Sequence, residues 1–236
     1  MTAAAEPEAD PHGPLFSDRL FAAVAAKASP VVVGLDPHLD RLPAPLRELA
    51  AGGREDAARA VRRFADELLE AIADTVAIVK PQVAFFERLG PAGWQTLEHV
   101  VARAHELGLL VLADAKRGDI GSTAQAYADY FLGSPDAGGL GADALTVSPY
   151  LGPDTLAPFA AYASRGRGVF VLAKTSNPGS VEIQDLPVRG DDGERPLWSR
   201  VGRLVDALGR ASIGDAGYAS LGLVVGATGP EQAGEL

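Results

Sequence analysis

Six short apolar runs, each followed by a longer stretch of helical periodicity, constrain what this chain can fold into more than any other feature. The runs are PVVVGLD (30–36), TVAIVKPQ (75–82), LLVLADAK (109–116), ADALTVSPY (142–150), GVFVLAKTSN (168–177) and LGLVVGAT (221–228). Between them lie REDAARAVRRFADELLEAIAD (54–74), PAGWQTLEHVVARAHELG (91–108), STAQAYADYFLG (122–133), TLAPFAAYASRG (155–166) and PLWSRVGRLVDALGRA (196–211). Each of these is long enough for a helix, and several are bounded by Gly or Pro. Strands that are apolar on both faces and separated by helices imply a parallel sheet covered by helices, as in a doubly wound sheet or a (β/α)8 barrel. No compositional break divides the repeat. The longest irregular insertion, GSVEIQDLPVRGDDGERP (179–196), is read as an excursion at one face of the sheet.

Composition narrows the partners. A net charge of -10 argues against nucleic acid, because phosphate backbones are bound by basic patches. The absence of cysteine removes disulfides and thiolate metal sites, and fits a cytoplasmic location. No apolar stretch approaches the roughly 20 residues of a membrane-spanning helix, so no membrane partner is expected. Residues 1–14 are acidic, lack the basic start and apolar core of a signal peptide, and are expected to form a disordered tail.

Polar residues gather where the strands end: Asp36, Lys80 with Gln82, Asp114 with Lys116, Ser148, and 174–177. In parallel βα proteins that end of the sheet carries the active site. Within LADAKRGDIGSTA, alternation along a strand points Asp114 and Lys116 to one side and Ala115 to the helix layer. Asp119 falls in the loop that follows, Ser122 or Thr123 can cap the next helix, and Arg117 is read as solvent-facing. Lys80, Asp114, Lys116 and Asp119 then make two cations and two anions, an array that can hold charges in fixed places. On spacing alone, two ion pairs closing the loop account for the same four residues.

Other signals are read as structural. GVFVLAKTS is a near miss to a phosphate-binding loop, but its lead-in is strand-like. His99 and His105 lie on different faces of one helix and are read as surface residues, His12 lies in the tail, and His38 is read as a loop residue. No metal site is therefore expected. Arg62, Arg63 and Glu67 form a solvated helix face, and Phe85 and Phe86 belong to the core or to a contact near the site.

The stretch DAKRGDIGSTA resembles the Asp-x-Lys-x-x-Asp motif of the orotidine 5'-phosphate decarboxylase superfamily. VGLDPH, VKPQVAFFE, VSPYLG, KTSNPGS and VVGAT resemble further strand-end signatures of one bacterial subgroup, in the same order, over roughly residues 15–236. The resemblance implies a (β/α)8 TIM barrel, a cytoplasmic homodimer whose active sites are shared across the interface, and cofactor-free conversion of orotidine 5'-monophosphate to uridine 5'-monophosphate (UMP). It further implies that Asp114 lies beside the substrate carboxylate, Lys116 protonates C6, Lys80 holds Asp114 and touches the ribose, and Asp36 bonds the ribose hydroxyls. Asp119 and Thr123 would reach the partner's site, and Ser176 would meet the pyrimidine amide. Only six of eight βα units are evident, so residues 15–236 are expected to form a single barrel domain that stops before strands 7 and 8. The loops that grip the substrate phosphate would lie on those strands. Two other functions share some of these features: a sugar-phosphate decarboxylase or synthase of the same superfamily, and a non-catalytic nucleotide-binding or dimerisation fragment.

Overall fold

The computed structural model describes residues 13–190 and 193–236. Helix α1 (Phe16–Lys27) leads into β1 (Val32–Leu35), and α2 (Ala44–Ala50) and α3 (Arg54–Ile72) return the chain to β2 (Ile78–Pro81). The short α4 (Val83–Glu87), α5 (Pro91–Glu106), β3 (Leu110–Arg117), α6 (Gly121–Leu132), β4 (Ala144–Val147), α7 (Pro153–Ala163) and β5 (Gly168–Lys174) follow. Next come α8 (Ser180–Gln184), β6 (Pro187–Gly190) and β7 (Gly193–Pro196), then α9 (Leu197–Gly209), β8 (Leu221–Val225) and α10 (Pro230–Glu235).

The strands read from the sequence are β1 to β5 and β8. They form one parallel sheet in the order β1-β2-β3-β4-β5-β8, so that neighbours in sequence are neighbours in space and the sheet curls into a half-barrel. The insertion at 179–196 is ordered where it is described: α8 is followed by β6 and β7, which pair antiparallel beside the main sheet. The tail expected at 1–14 falls outside the described residues except for Gly13 and Pro14. Among the described residues no helix is long and apolar enough to cross a membrane.

Two layers of side chains fill the inside of the sheet. Ile78, Leu112 and Ala144 are buried on the inner face at successive strands, and Phe16 of α1 packs on them. Phe16 also meets Phe170 edge to face, at 6.0 Å and 85°. Helix α1, which the sequence reading left unassigned, therefore plugs the end of the half-barrel at which the strands begin. The plug explains Gly168, since a β-carbon there would lie 2.5 Å from the Phe16 ring. Two residues further along three of these strands, the same inward face presents Lys80, Asp114 and Thr146. An apolar floor thus lies directly beneath a polar layer.

The outer face of the sheet packs on the helices. In α3 Val61, Ala65 and Leu69 are fully buried, whereas Arg62, Arg63 and Glu67 are exposed, as their periodicity requires. Phe86 is fully buried and Phe85 packs on the ring of His38 at 4.4 Å. The two helix histidines lie at the surface, His105 exposed and His99 partly so, and each faces a carboxylate. His99 Nε2 lies 2.7 Å from Asp66 and His105 Nε2 2.8 Å from Asp143. Asp143 is buried and also accepts from Arg19 and from the Val111 N–H, which ties α1 and α5 to the start of the sheet. Among the described residues no group of three or more His, Asp or Glu side chains could hold a metal ion.

Candidate active site

The polar layer converges on Asp114. Its Oδ1 accepts from Lys116 Nζ at 2.5 Å and from Thr146 Oγ1 at 2.9 Å. Its Oδ2 accepts from Gln82 Nε2 at 2.8 Å and from Lys80 Nζ at 3.2 Å. Four donors from β2, β3, β4 and the end of β2 thus saturate one carboxylate that is only 6% exposed. Burial pushes the Asp114 carboxyl up, but the hydrogen bonds from Lys116 and Thr146 and the charges of Lys80 and Lys116 together hold it below the usual carboxylate range. A depressed carboxyl stabilises the fold at pH values above its unfolded pKa, and that contribution is lost as the pH falls through the folded value.

Local backbone geometry delivers Lys116. Its φ is +50°, a left-handed conformation that a side chain other than glycine rarely adopts, and its N–H donates to Thr146 Oγ1 at 3.0 Å. Opposite it, β3 runs from Ala113 to Arg117 while β4 advances only from Leu145 to Val147, so β3 bulges out of register. The bulge ends the ladder at the point where the ammonium must turn back toward Asp114.

Lys80, Asp114, Lys116 and Thr146 line a cavity of 440 Å³ whose walls include Leu112, Phe170, Leu172 and Val225. Ser176 lines the same cavity, held close to the end of β8. A β-carbon at Gly226 would lie 2.9 Å from the Ser176 nitrogen, so only glycine permits the approach. The loop carrying Ser176 is fastened by Gln184, which accepts from the Thr175 N–H and donates to its hydroxyl, both at 2.8 Å. Lys174 pairs with Asp185 at 2.6 Å. Asp36 is exposed at the end of β1, where a β-carbon on Gly34 would lie 3.6 Å from Asp36 Oδ1 and 3.9 Å from Lys80 Nζ.

Lys80, Asp114, Lys116 and Ser176 are thus brought together, with Asp36 beside them. Asp119 and Thr123 are not. Asp119 Oδ1 accepts from the Ile120 N–H, and Thr123 is exposed on α6 beside a different cavity, of 790 Å³, lined also by Trp94, Tyr127 and Tyr130. Gln82 and Thr146 bond Asp114 directly, although the sequence reading assigned neither to the site. Arg117 is corrected from solvent-facing to packed. Its guanidinium pairs with Glu87, donates to the Ala115 carbonyl at 3.2 Å and lies over the Tyr127 and Phe131 rings.

A buried carboxylate between two lysines, above an apolar floor, can oppose a negative group on a bound molecule while an ammonium stands ready to donate a proton. The family model described as Orotidine 5'-phosphate decarboxylase / HUMPS family matches residues 29–233, a span that holds every one of these side chains. The chain belongs to that family. Among relatives of the decarboxylase family, a Rhodopirellula baltica protein named orotidine 5'-phosphate decarboxylase is 49% identical over 225 residues, covering 94% of this chain and 73% of that one. A Salinispora arenicola protein of the same name is 44% identical over 216 residues, covering 90% and 71%. The solved structure of Leishmania donovani OMP decarboxylase superposes with a TM-score of 0.73 at 35% identity, covering 94% of this chain and 74% of that one. The half-barrel of this chain follows the TIM-barrel fold of these decarboxylases.

Proposed function

We propose that this chain converts orotidine 5'-monophosphate to UMP and carbon dioxide in de novo pyrimidine biosynthesis, using side chains alone. The observation that carries the reading is the buried Asp114 carboxylate between Lys80 and Lys116 in a chain nearly half identical to a named decarboxylase. A substrate carboxylate placed beside Asp114 is repelled by about 4 kcal/mol at a separation of about 4 Å and an effective dielectric of 20. Cleavage of the bond from C6 to the carboxyl carbon releases neutral carbon dioxide, and the repulsion disappears with it. The electron pair stays on C6, where the Lys116 ammonium stabilises it and then transfers a proton. The resulting amine regains its proton from solvent.

The remaining side chains position the nucleotide. Lys80 holds Asp114 and touches the ribose, Asp36 bonds the ribose hydroxyls, and Ser176 meets the pyrimidine amide. The apolar floor of Leu112 and Phe170 keeps water from the C6 side and strengthens the charge interactions above it. Incubation with orotidine 5'-monophosphate in excess chelator tests the reading. Loss of the substrate absorbance with one UMP formed per substrate is expected. Metal-dependent turnover of a sugar phosphate instead would indicate the related sugar-phosphate chemistry, and binding of nucleotide without turnover would indicate a non-catalytic fragment.

Asp119 and Thr123 serve the site of a partner subunit in a cytoplasmic homodimer. Support comes from their position: both lie outside their own chain's cavity, on the loop and helix start directly after the site strand. Mixing inactive Asp114→Ala and Asp119→Ala subunits should restore up to about a quarter of parental activity, since random exchange makes half the dimers mixed and each mixed dimer holds one intact site. No rescue despite demonstrated exchange would contradict a shared site.

A further inference from the structure

We propose that Arg117 is a positioning residue for Lys116: clamped by Glu87 and by the rings of Tyr127 and Phe131, it fixes the β3 bulge in the arrangement that brings the Lys116 ammonium to Asp114. A left-handed lysine is sterically disfavoured and persists only where its surroundings determine it. On the inner side the bulge is held by the Thr146 hydroxyl, and at its end the Arg117 carbonyl accepts from the Ser148 N–H at 2.7 Å. The inner contact holds the N–H of the peptide between Ala115 and Lys116. Arg117 holds the carbonyl of the same peptide from the outer side.

Its guanidinium donates back across the bulge to the Ala115 carbonyl at 3.2 Å and is itself fixed by two helices. Glu87 at the end of α4 forms the ion pair, and the Tyr127 and Phe131 rings of α6 lie 5.4 and 5.3 Å from the guanidinium carbon. The planar group stacks while donating in two directions, which a lysine ammonium cannot reproduce. Buried Nε has no partner, so the side chain sits where its other contacts place it rather than where every donor is satisfied. Lys116 and Arg117 are adjacent and point to opposite sides of β3. A change in the outer anchor is therefore transmitted through a single peptide to the cavity.

The functional consequence rests on the reading of Lys116 as the proton donor, but the clamp itself can be tested without turnover. The full chain, with its aspartates labelled with ¹³C at the carboxyl carbon, is compared with Arg117→Ala, Arg117→Lys and Glu87→Gln by NMR titration of Asp114, assigned by its loss in Asp114→Asn. In Arg117→Ala and Glu87→Gln the Asp114 titration should move upward as Lys116 leaves Oδ1, with the circular dichroism of the parent retained. Added guanidinium ion at non-denaturing concentration should reverse the shift in Arg117→Ala. Turnover should fall roughly 10- to 100-fold with KM within about threefold, as expected for a misplaced donor. An Asp114 titration unchanged in folded Arg117→Ala overturns the clamp. Should that variant fail to fold, an unchanged titration in Glu87→Gln overturns it equally. A shifted titration with unaltered turnover upholds the clamp and contradicts the role of Lys116 instead.

Discussion

Replacing Lys116 by arginine should lower turnover by about 10³-fold or more while leaving nucleotide affinity within about tenfold of the parent. Both side chains carry the positive charge that attracts a developing carbanion at C6, so the electrostatic part of the interaction survives in kind. Proton transfer does not, because a guanidinium holds its proton far above the pH at which the enzyme works. Geometry adds to the loss. Lys116 reaches Asp114 Oδ1 at 2.5 Å from a left-handed backbone position, and a broader planar group cannot place one nitrogen there and another beneath C6. The ribose and pyrimidine contacts proposed for Lys80, Asp36 and Ser176 would be untouched, which is why binding should be retained. Turnover within tenfold of the parent would remove Lys116 from the chemistry.

Replacing Asp114 by asparagine should have a comparable effect on turnover and the opposite effect on binding. The substitution keeps the size of the side chain but removes the charge proposed to oppose the substrate carboxylate. About 4 kcal/mol of repulsion corresponds to roughly 10³-fold in rate at 1.4 kcal/mol per decade. Because that repulsion acts on the bound substrate, its removal should leave orotidine 5'-monophosphate bound as tightly as before or tighter, with kcat lowered. Lys80 and Lys116 then lack their shared anion, and the carboxylate of the substrate becomes their counter-ion. A parallel loss of affinity and turnover would mean that Asp114 merely holds the cavity together.

The strands and the charged cluster were legible because their physics is local. A run such as TVAIVKPQ can lie only in a sheet covered on both sides, and period-two alternation within ADAK places Asp114 and Lys116 together. Thr146 was not legible. It is a single hydroxyl inside the buried run ALTV, and only the pairing of β3 with β4 shows that it faces Asp114. The reading of Arg117 failed for an instructive reason: alternation does point it away from the cavity, but that side of β3 is covered by α4 and α6, not by solvent. A charged residue on the helix-facing side of a buried strand needs a partner, and Glu87 in the neighbouring strand-end stretch was the available one. Helix α1 escaped notice because its role is tertiary. Its Phe16 has meaning only against the floor formed by three later strands. Asp119 and Thr123 show the limit of sequence proximity, since five to nine residues beyond Asp114 suffice to carry them out of its cavity.

The most direct test of the chemistry uses orotidine 5'-monophosphate labelled with ¹³C in its carboxyl group, followed by NMR with the parent chain and with Lys116→Arg. The account predicts that the parent releases labelled carbon dioxide and unlabelled UMP in equal amounts, while Lys116→Arg binds the nucleotide and leaves the label in place. Label retained by the parent at saturating substrate, or released at the parental rate by Lys116→Arg, would contradict it.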